Sequence, residues 1–388
     1  MGVLPGDLCW SGWLHATLSL VQFAGWEGAS ITEILALLSV ELATVLGVFF
    51  LGASLGSFLN VVLYRVPRRQ NILWPPSHCP VCRRRIALWD NIPILSWLLL
   101  RGRCRSCQTA IPPGYLGVEL LMGSLFVVLL ILEVYLGGRT LPLRPPSSQN
   151  SALWTIWNPR TDVLSLYLYH SLLAYFLTSL VLFAWQGDVL PGRYVLIALA
   201  VGLIIPLLSP AVQVVPAWPV VVGETKVHTA GIASAAWGLL VGVGLGSLFG
   251  HCTAVRVCRR ADSVPHWPIP TTFDVAAGLA IVGTWLGWQA VLSISLLTAF
   301  FQLISRSRHS ALVVLAVLTG VQLLLWRMLT EHLPWWPGPY TSWAVMIGWA
   351  MVLLLALVAV RLMRRSPEPV REPSWEPCPD SSTPEALP

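Results

Sequence analysis

Long apolar segments constrain the fold of this chain more than any other feature. The first runs from about Leu35 to Leu63, and about 20 such residues suffice for a helix to cross a bilayer core of about 30 Å. Only 11% of the residues are charged, against about a quarter in an ordinary soluble domain. The sequence therefore predicts an all-α polytopic membrane protein with about eight or nine transmembrane helices. The further apolar segments are 114–136, 164–185, 194–208, 230–249, 274–304, 310–328 and 342–362.

The segment 274–304 is too long for one membrane helix, and Gly287-Trp288 interrupts it near the middle. We interpret it as two short helices or a helical hairpin. Whether 310–328 also spans the membrane stays open. The predicted organisation is an N-terminal lead-in (1–34), two membrane helices with an intervening loop (35–136, loop 65–113), a membrane-embedded helical domain (164–362) and a disordered, Pro- and Glu-rich tail (363–388).

Charge is concentrated in a few loops. Nine arginines lie between Arg65 and Arg105, against a single acidic residue, Asp90. Cytoplasmic loops of membrane proteins accumulate basic residues, so this loop is predicted to be cytoplasmic. The net charge of +6 then reflects membrane topology, and nucleic-acid binding is not expected.

Two Cys-x-x-Cys pairs lie in this basic loop. Tetrahedral zinc takes four soft ligands at about 2.3 Å, and two such pairs can supply them on a compact loop. The alternatives are two disulfides or reduced thiols without a role. Four thiolates leave no open coordination position, so the predicted Zn²⁺ is structural. The four cysteines are Cys79, Cys82, Cys104 and Cys107.

Several motifs around these cysteines resemble the type IV prepilin peptidases, also called prepilin leader peptidases. The first is Gly56-Ser-Phe-Leu-Asn60-Val-Val-Leu-Tyr-Arg65-Val-Pro67, which is similar to the family signature at the end of the first membrane helix. The others are Trp89-Asp-Asn91-Ile-Pro93-Ile-Leu-Ser-Trp97, the second cysteine pair with its flanks, and Gly117-Val-Glu119-Leu120. The combination covers residues 52–125.

The resemblance implies a membrane-embedded aspartyl endopeptidase of the bacterial inner membrane. Such enzymes cut the short basic leader from prepilins or pseudopilins at the cytoplasmic face, and many also methylate the new amino terminus. The implied partners are these substrates, membrane lipid, and pilus or type II secretion assembly proteins.

Peptide hydrolysis without a metal or nucleophile requires two carboxyl groups that share a proton. Asp188 and Asp274 are the aspartates at predicted cytoplasmic helix ends, and they are the candidate catalytic pair. Asp188 lies in a segment that resembles the family's Leu-Pro-Asp motif, but the aligned family aspartates fall on Gln186 and Gly192. The alternative role for Asp188 is to cap or hydrate a loop.

Asp274 lies before a Gly- and Trp-containing helix, as in the family's Gly-x-Gly-Asp motif. Thr271 and Phe273 replace the two glycines, however, and Phe273 is expected to obstruct the approach of a substrate backbone. The alternative for Asp274 is a structural helix cap. Glu119 also matches a family position, and we expect it to pair with a loop arginine rather than act in catalysis.

Two hypotheses follow for the function. The first is an active prepilin peptidase that uses Asp188 and Asp274. The second is a catalytically impaired paralogue that keeps the zinc loop and acts as a membrane binding or assembly protein. A transporter or channel has little support, because few ionisable groups line the predicted spans.

Overall fold

The computed structural model of the chain describes residues 30–142, 152–186, 190–217, 231–253, 272–305 and 311–365. Regular structure in these ranges is helical, apart from isolated bridges between His78 and Arg85 and between Arg103 and Ala110. The helices are α1 (Ile31–Arg65), α2 (Leu95–Leu99), α3 (Pro113–Leu129), α4 (Ala152–Trp157), α5 (Thr161–Gln186), α6 (Gly192–Leu208), α7 (Gly231–Thr253), α8 (Thr272–Leu286), α9 (Trp288–Ser305), α10 (Ala311–His332) and α11 (Trp343–Arg365).

Six helical segments in the described part of the chain are long and apolar enough to cross a membrane. They are α1, α3 with its π-helical extension Leu130–Tyr135, α5, α7, α10 and α11. Three shorter apolar helices, α6, α8 and α9, lie among them. The predicted all-α membrane protein is confirmed in this form, while the expected count of eight or nine spans stays a prediction.

Helix α1 begins at Ile31, a few residues before the expected start, because Ser30 and Glu33 form a capping box. It ends at Arg65, whose buried guanidinium donates hydrogen bonds to the backbone carbonyls of Asn71, Ile72 and Pro75. These bonds fix the path by which the chain enters the cysteine loop. The predicted lead-in up to residue 29 and the tail from 366 lie outside the described residues.

Glycines bring α7 and α8 into very close contact. Gly238, Gly242, Gly246 and Gly250 recur every fourth residue, and a Cβ at any of them would meet the backbone of α8 at less than an ordinary contact distance. Small residues at this spacing let two membrane helices approach closely. Because Gly250 meets Thr272 while Gly238 meets Gly283, the two helices are antiparallel.

The apolar segment 274–304 divides at Gly287, as predicted. Gly287 has a φ of +89°, a left-handed conformation that glycine adopts readily. Helix α9 then runs back along α8, since Ser295 and Thr298 border the same small closed space as Val275. The segment therefore forms two short helices arranged as a helical hairpin.

Long helices that follow one another along the chain alternate in direction, and this places several termini at one end of the bundle. The cysteine loop connects α1 to α3 at that end. Helix α5 begins near the far end of α3, where Val163 packs with Leu130 and Val134. Helix α6 ends at the same far end, where the Ser209 and Ser165 hydroxyl oxygens are 3.3 Å apart. Helix α7 begins there too, because the Ser234 hydroxyl donates to the carbonyl of Val215, shortly after α6. The start of α8 therefore lies at the end of the bundle that carries the cysteine loop.

Candidate functional site

The four loop cysteines converge on one point. Their Sγ atoms all lie within 4.8 Å of one another, and Cys79 Sγ is 3.8 Å from Cys107 Sγ. A disulfide needs about 2.05 Å, and the four thiols are free, so the structure does not support the disulfide alternative. Sulfurs placed about 2.3 Å from a central ion at tetrahedral corners would lie about 3.8 Å apart. The cluster therefore has dimensions that can hold a metal ion.

Both cysteine pairs adopt the same turn. In the first, Cys79 N–H donates to the Arg84 carbonyl and Arg83 N–H donates to the Cys79 carbonyl. In the second, Cys104 and Gln108 repeat this pattern, with Cys104 N–H donating to the Thr109 carbonyl. Arg83 and Gln108 both have a positive φ, 56° and 58°. Two matching turns aim four sulfurs inward, which explains why so short a loop can form the site.

The backbone around the second pair favours a thiolate. The N–H groups of Cys107 and Ser106 point at Cys104 Sγ and lower the pKa of that thiol to about 7. The N–H of Thr109 also favours ionisation of Cys107, but partial desolvation and the neighbouring thiols outweigh it and raise the pKa of Cys107 to about 11. Neighbouring thiolates repel each other. A cation at the centre would offset this repulsion, and metal binding displaces the thiol protons.

An ion pair ties the rest of the loop to the second cysteine turn. Arg105 donates from Nε and Nη2 to the two carboxylate oxygens of Asp90, at 2.8 and 2.6 Å. Asp90 is the single acidic residue of the loop, and these bonds hold the pKa of its carboxyl below the usual value. The Trp89–Trp97 motif is thereby fixed next to the cysteine cluster.

Glu119 has a different partner from the arginine that the sequence led us to expect. Its Oε2 accepts a hydrogen bond of 2.7 Å from the backbone N–H of Ile94, and the residue is buried. Ile94 has a φ of +65°, and Leu95 N–H donates to the Pro93 carbonyl across it, which makes a γ-turn of the strained type. Glu119 therefore links α3 to this turn of the loop.

A groove of about 360 Å³ lies between the end of α1 and the loop. Ser54, Ser57 and Phe58 of α1 form one wall, and Ile72 and Pro93 of the loop lie on the other. Its size is that of a small-ligand site, and its lining combines hydroxyls with apolar side chains.

The two candidate catalytic aspartates differ in what the structure describes. Asp274 lies in the first turn of α8 and is only 7% exposed, whereas its neighbour Phe273 is 49% exposed. A carboxylate in a first turn is favoured by the helix dipole. Asp188 lies outside the described residues, so the Asp188–Asp274 pair stays a prediction.

Sequence reasoning missed a second buried ionisable site. His170 on α5 contacts Glu133 in the π-helical segment after α3, and the two side chains are almost completely buried. Two ionisable residues within apolar segments were the available signal, because such residues are rare in membrane helices.

The described residues form a helical bundle with six segments apolar enough to cross a membrane. A loop with the four-cysteine cluster connects the first two of these segments. Residues 50–132 match the family model described as the bacterial peptidase A24 N-terminal domain. No solved structure matches the chain significantly.

Curated relatives extend this match. The prepilin leader peptidase/N-methyltransferase of Myxococcus xanthus (strain DK1622) is 55% identical over 78 residues, which are 20% of this chain and 23% of that protein. The protein of the same name from Dichelobacter nodosus is 41% identical over 122 residues, covering 24% of this chain and 43% of that protein. These matches span less than half of the relatives' length.

A longer match comes from the prepilin leader peptidase/N-methyltransferase of Aeromonas salmonicida (strain A449). It is 28% identical over 331 residues, which cover 79% of this chain and 89% of that protein. The chain is thus similar to the bacterial peptidase A24 N-terminal domain over residues 50–132, and to a prepilin leader peptidase/N-methyltransferase over most of its length.

Proposed function

We propose that this protein is a membrane aspartyl endopeptidase that removes leader peptides from type IV prepilin-like or pseudopilin substrates. The observation that carries the proposal is the similarity to the Aeromonas salmonicida relative, which extends beyond the cysteine loop through most of the helical bundle. The proposed location is the bacterial inner membrane, with the cysteine loop and the start of α8 on the cytoplasmic face. The arginine excess of the loop supports this orientation.

Asp274 is the proposed catalytic carboxyl on α8, and Asp188 is its proposed partner. One carboxylate would take a proton from the attacking water, and the other, as the acid, would give a proton to the carbonyl oxygen. The burial of Asp274 supports this role, since exclusion of water strengthens the interaction between two nearby carboxyls.

The proposed ion of the cysteine cluster is Zn²⁺ in a structural role. Four thiolates favour zinc among the common divalent ions and close its coordination sphere, so water cannot bind there as a nucleophile. Cys79, Cys82, Cys104 and Cys107 would hold the ion, which would fix the two turns to each other. The sulfur spacing of the cluster supports this assignment.

The test of the peptidase is leader removal from a prepilin encoded in the same genome. The full-length protein, Asp188→Asn and Asp274→Asn are each co-expressed with that substrate, and the size of the pilin is measured. We expect cleavage by the unaltered protein and at least a 100-fold loss in each variant, the scale of proton-transfer catalysis. Asp162→Asn is a control, because Asp162 lies at the far end of the bundle, in the first turn of α5. A folded, membrane-inserted protein that leaves the leader intact would instead favour the non-cleaving paralogue.

The test of the zinc site is metal analysis of purified protein. Cys79→Ser combined with Cys104→Ser removes one ligand from each turn and is expected to abolish bound zinc. Cys252→Ser is the matched control, because Cys252 is a buried free thiol on α7 and not part of the cluster. Unchanged zinc in the double variant would remove this assignment.

A further inference from the structure

A buried carboxylate and imidazole join α3 to α5. His170 Nδ1 contacts Glu133 Oε1, and the two side chains are 0% and 3% exposed. Both residues lie in segments apolar enough to cross a membrane. An ionisable group in such a segment is costly unless it is paired, which makes the pair a candidate for a specific role.

The pair lies on the contact between α5 and the hairpin formed by α1 and α3. One turn away on α5, Tyr167 O–H donates to the Phe126 carbonyl at 3.4 Å, and the two rings meet edge to face. Tyr135, also in the π-helical segment, donates at 2.7 Å to Glu41 of α1. Polar contacts therefore connect the hairpin both internally and to α5.

The same turn of α5 contacts α6 and α8, here called the core helices, on its other side. Tyr169 O–H lies 3.1 Å from the Gly202 carbonyl of α6 and 3.3 Å from the Thr284 carbonyl of α8. Its ring stacks on Trp285, with the ring centroids 4.4 Å apart. Adjacent residues, Tyr169 and His170, thus bind the core and the hairpin respectively.

Each member of the pair depends on the other. Among the described residues, Glu133 Oε2 and His170 Nε2 have no hydrogen-bond partner. With one proton between them the pair has no net charge, either as carboxylate and imidazolium or as carboxylic acid and imidazole. With no proton or with two, a net charge would be buried, and that is strongly unfavourable.

We propose that Glu133 and His170 form a net-neutral clasp that shares one proton and holds the α1–α3 hairpin, with its cysteine loop, against the core helices. Both are positioning residues, since they act through the helices that they join. The proposal does not depend on proteolysis, so it can fail or hold independently of the proposed function.

The test compares the thermal unfolding of the full-length protein in detergent with that of four variants. His170→Leu leaves the carboxyl without its partner, and we expect Tm to fall by roughly 6–10 °C. Glu133→Leu should lower Tm less than His170→Leu does, because a neutral imidazole needs no counter-charge. The double variant should melt above His170→Leu, since neither group is then left alone. Glu133→Gln keeps an acceptor for the imidazole N–H and should fold even if His170→Leu does not, with Tm within about 3 °C of the unaltered protein.

Amide hydrogen exchange shows which contact between helices opens in each variant. In His170→Leu, amides at the end of α3 and around residue 170 should exchange at least tenfold faster than in the unaltered protein. Tyr135→Phe is the matched control, since it removes the bond to Glu41 inside the hairpin and leaves the clasp intact. The proposal would be overturned if the Tm loss of the double variant equalled the sum of the two single losses. Equal Tm losses in the two single leucine variants would also overturn it. So would faster exchange around residue 170 in Tyr135→Phe.

Discussion

Replacing Gly246 by Ala tests the close packing of α7 on α8. A Cβ at Gly246 would lie 2.6 Å from the Ala276 Cα and 3.2 Å from its carbonyl oxygen. Both atoms belong to the backbone of α8 and cannot rotate away. Gly244, two residues earlier on the same helix, has nothing within 4 Å of its Cβ position. Gly244→Ala is therefore the matched control.

The expected loss of stability in Gly246→Ala follows from the distance between the added Cβ and the backbone of α8. Ordinary contacts of a Cβ begin at 3.4 Å, so the two helices must separate by about 0.8 Å to admit the methyl group of Gly246→Ala. Overpacking of this kind costs about 1–3 kcal/mol. Both variants gain the same helix propensity, up to about 1 kcal/mol, so their difference isolates the packing cost. We expect Gly244→Ala to be neutral or stabilising and Gly246→Ala to be about 1–3 kcal/mol less stable than that control.

The assay is thermal unfolding of both purified variants, followed by circular dichroism. A difference of about 1–3 kcal/mol corresponds to several degrees in Tm for a protein of this size. Leader cleavage is measured in parallel, because Ala276 is only two residues from Asp274 and a shift of α8 moves that carboxyl. If Gly246→Ala and Gly244→Ala melt at the same temperature, α7 does not pack on α8 as closely as the structure has it.

Two further predictions concern the cysteine loop. Asp90→Asn removes the negative charge of the ion pair with Arg105. Because this ion pair lowers the pKa of Asp90, its contribution to loop stability is present above the ordinary carboxyl pKa and is lost as the pH falls through the lowered value. Release of the proposed zinc ion on acidification should therefore begin at higher pH in Asp90→Asn than in the unaltered protein, and identical profiles would contradict this. Glu119→Ala leaves the buried Ile94 N–H without an acceptor and should cost about 1–3 kcal/mol in thermal unfolding, whereas Glu119→Gln keeps an acceptor and should cost less. Equal losses in both Glu119 variants would contradict that role.

Local patterns predicted the fold and the cysteine site well. The apolar segments gave the helices, because length and hydropathy are properties of each segment alone. The break at Gly287 was predicted for the same reason, since it depends on one residue and its neighbours. The four cysteines were predicted by their spacing, which reflects two copies of one short turn.

Contacts between distant segments were harder to predict. The partner of Glu119 is a backbone N–H exposed by an unusual turn at Ile94, and residue types do not reveal such a donor. The Glu133–His170 pair joins residues on different helices, so neither residue alone indicates it. The glycines of α7 have a visible period of four, but only the structure identifies α8 as the helix that they contact.

The packing of α8 changes how the motif around Asp274 is interpreted. From the sequence, Phe273 was expected to obstruct a substrate, because it stands where the family has a glycine. Successive residues on a helix point about 100° apart, and here Phe273 is half-exposed while Asp274 is buried. The ring therefore lies on the outer side of α8, whereas the carboxyl faces the bundle. A substrate that reaches Asp274 from the bundle side need not pass the ring, so the loss of glycine at this position is a weaker argument against catalysis than the sequence alone implies.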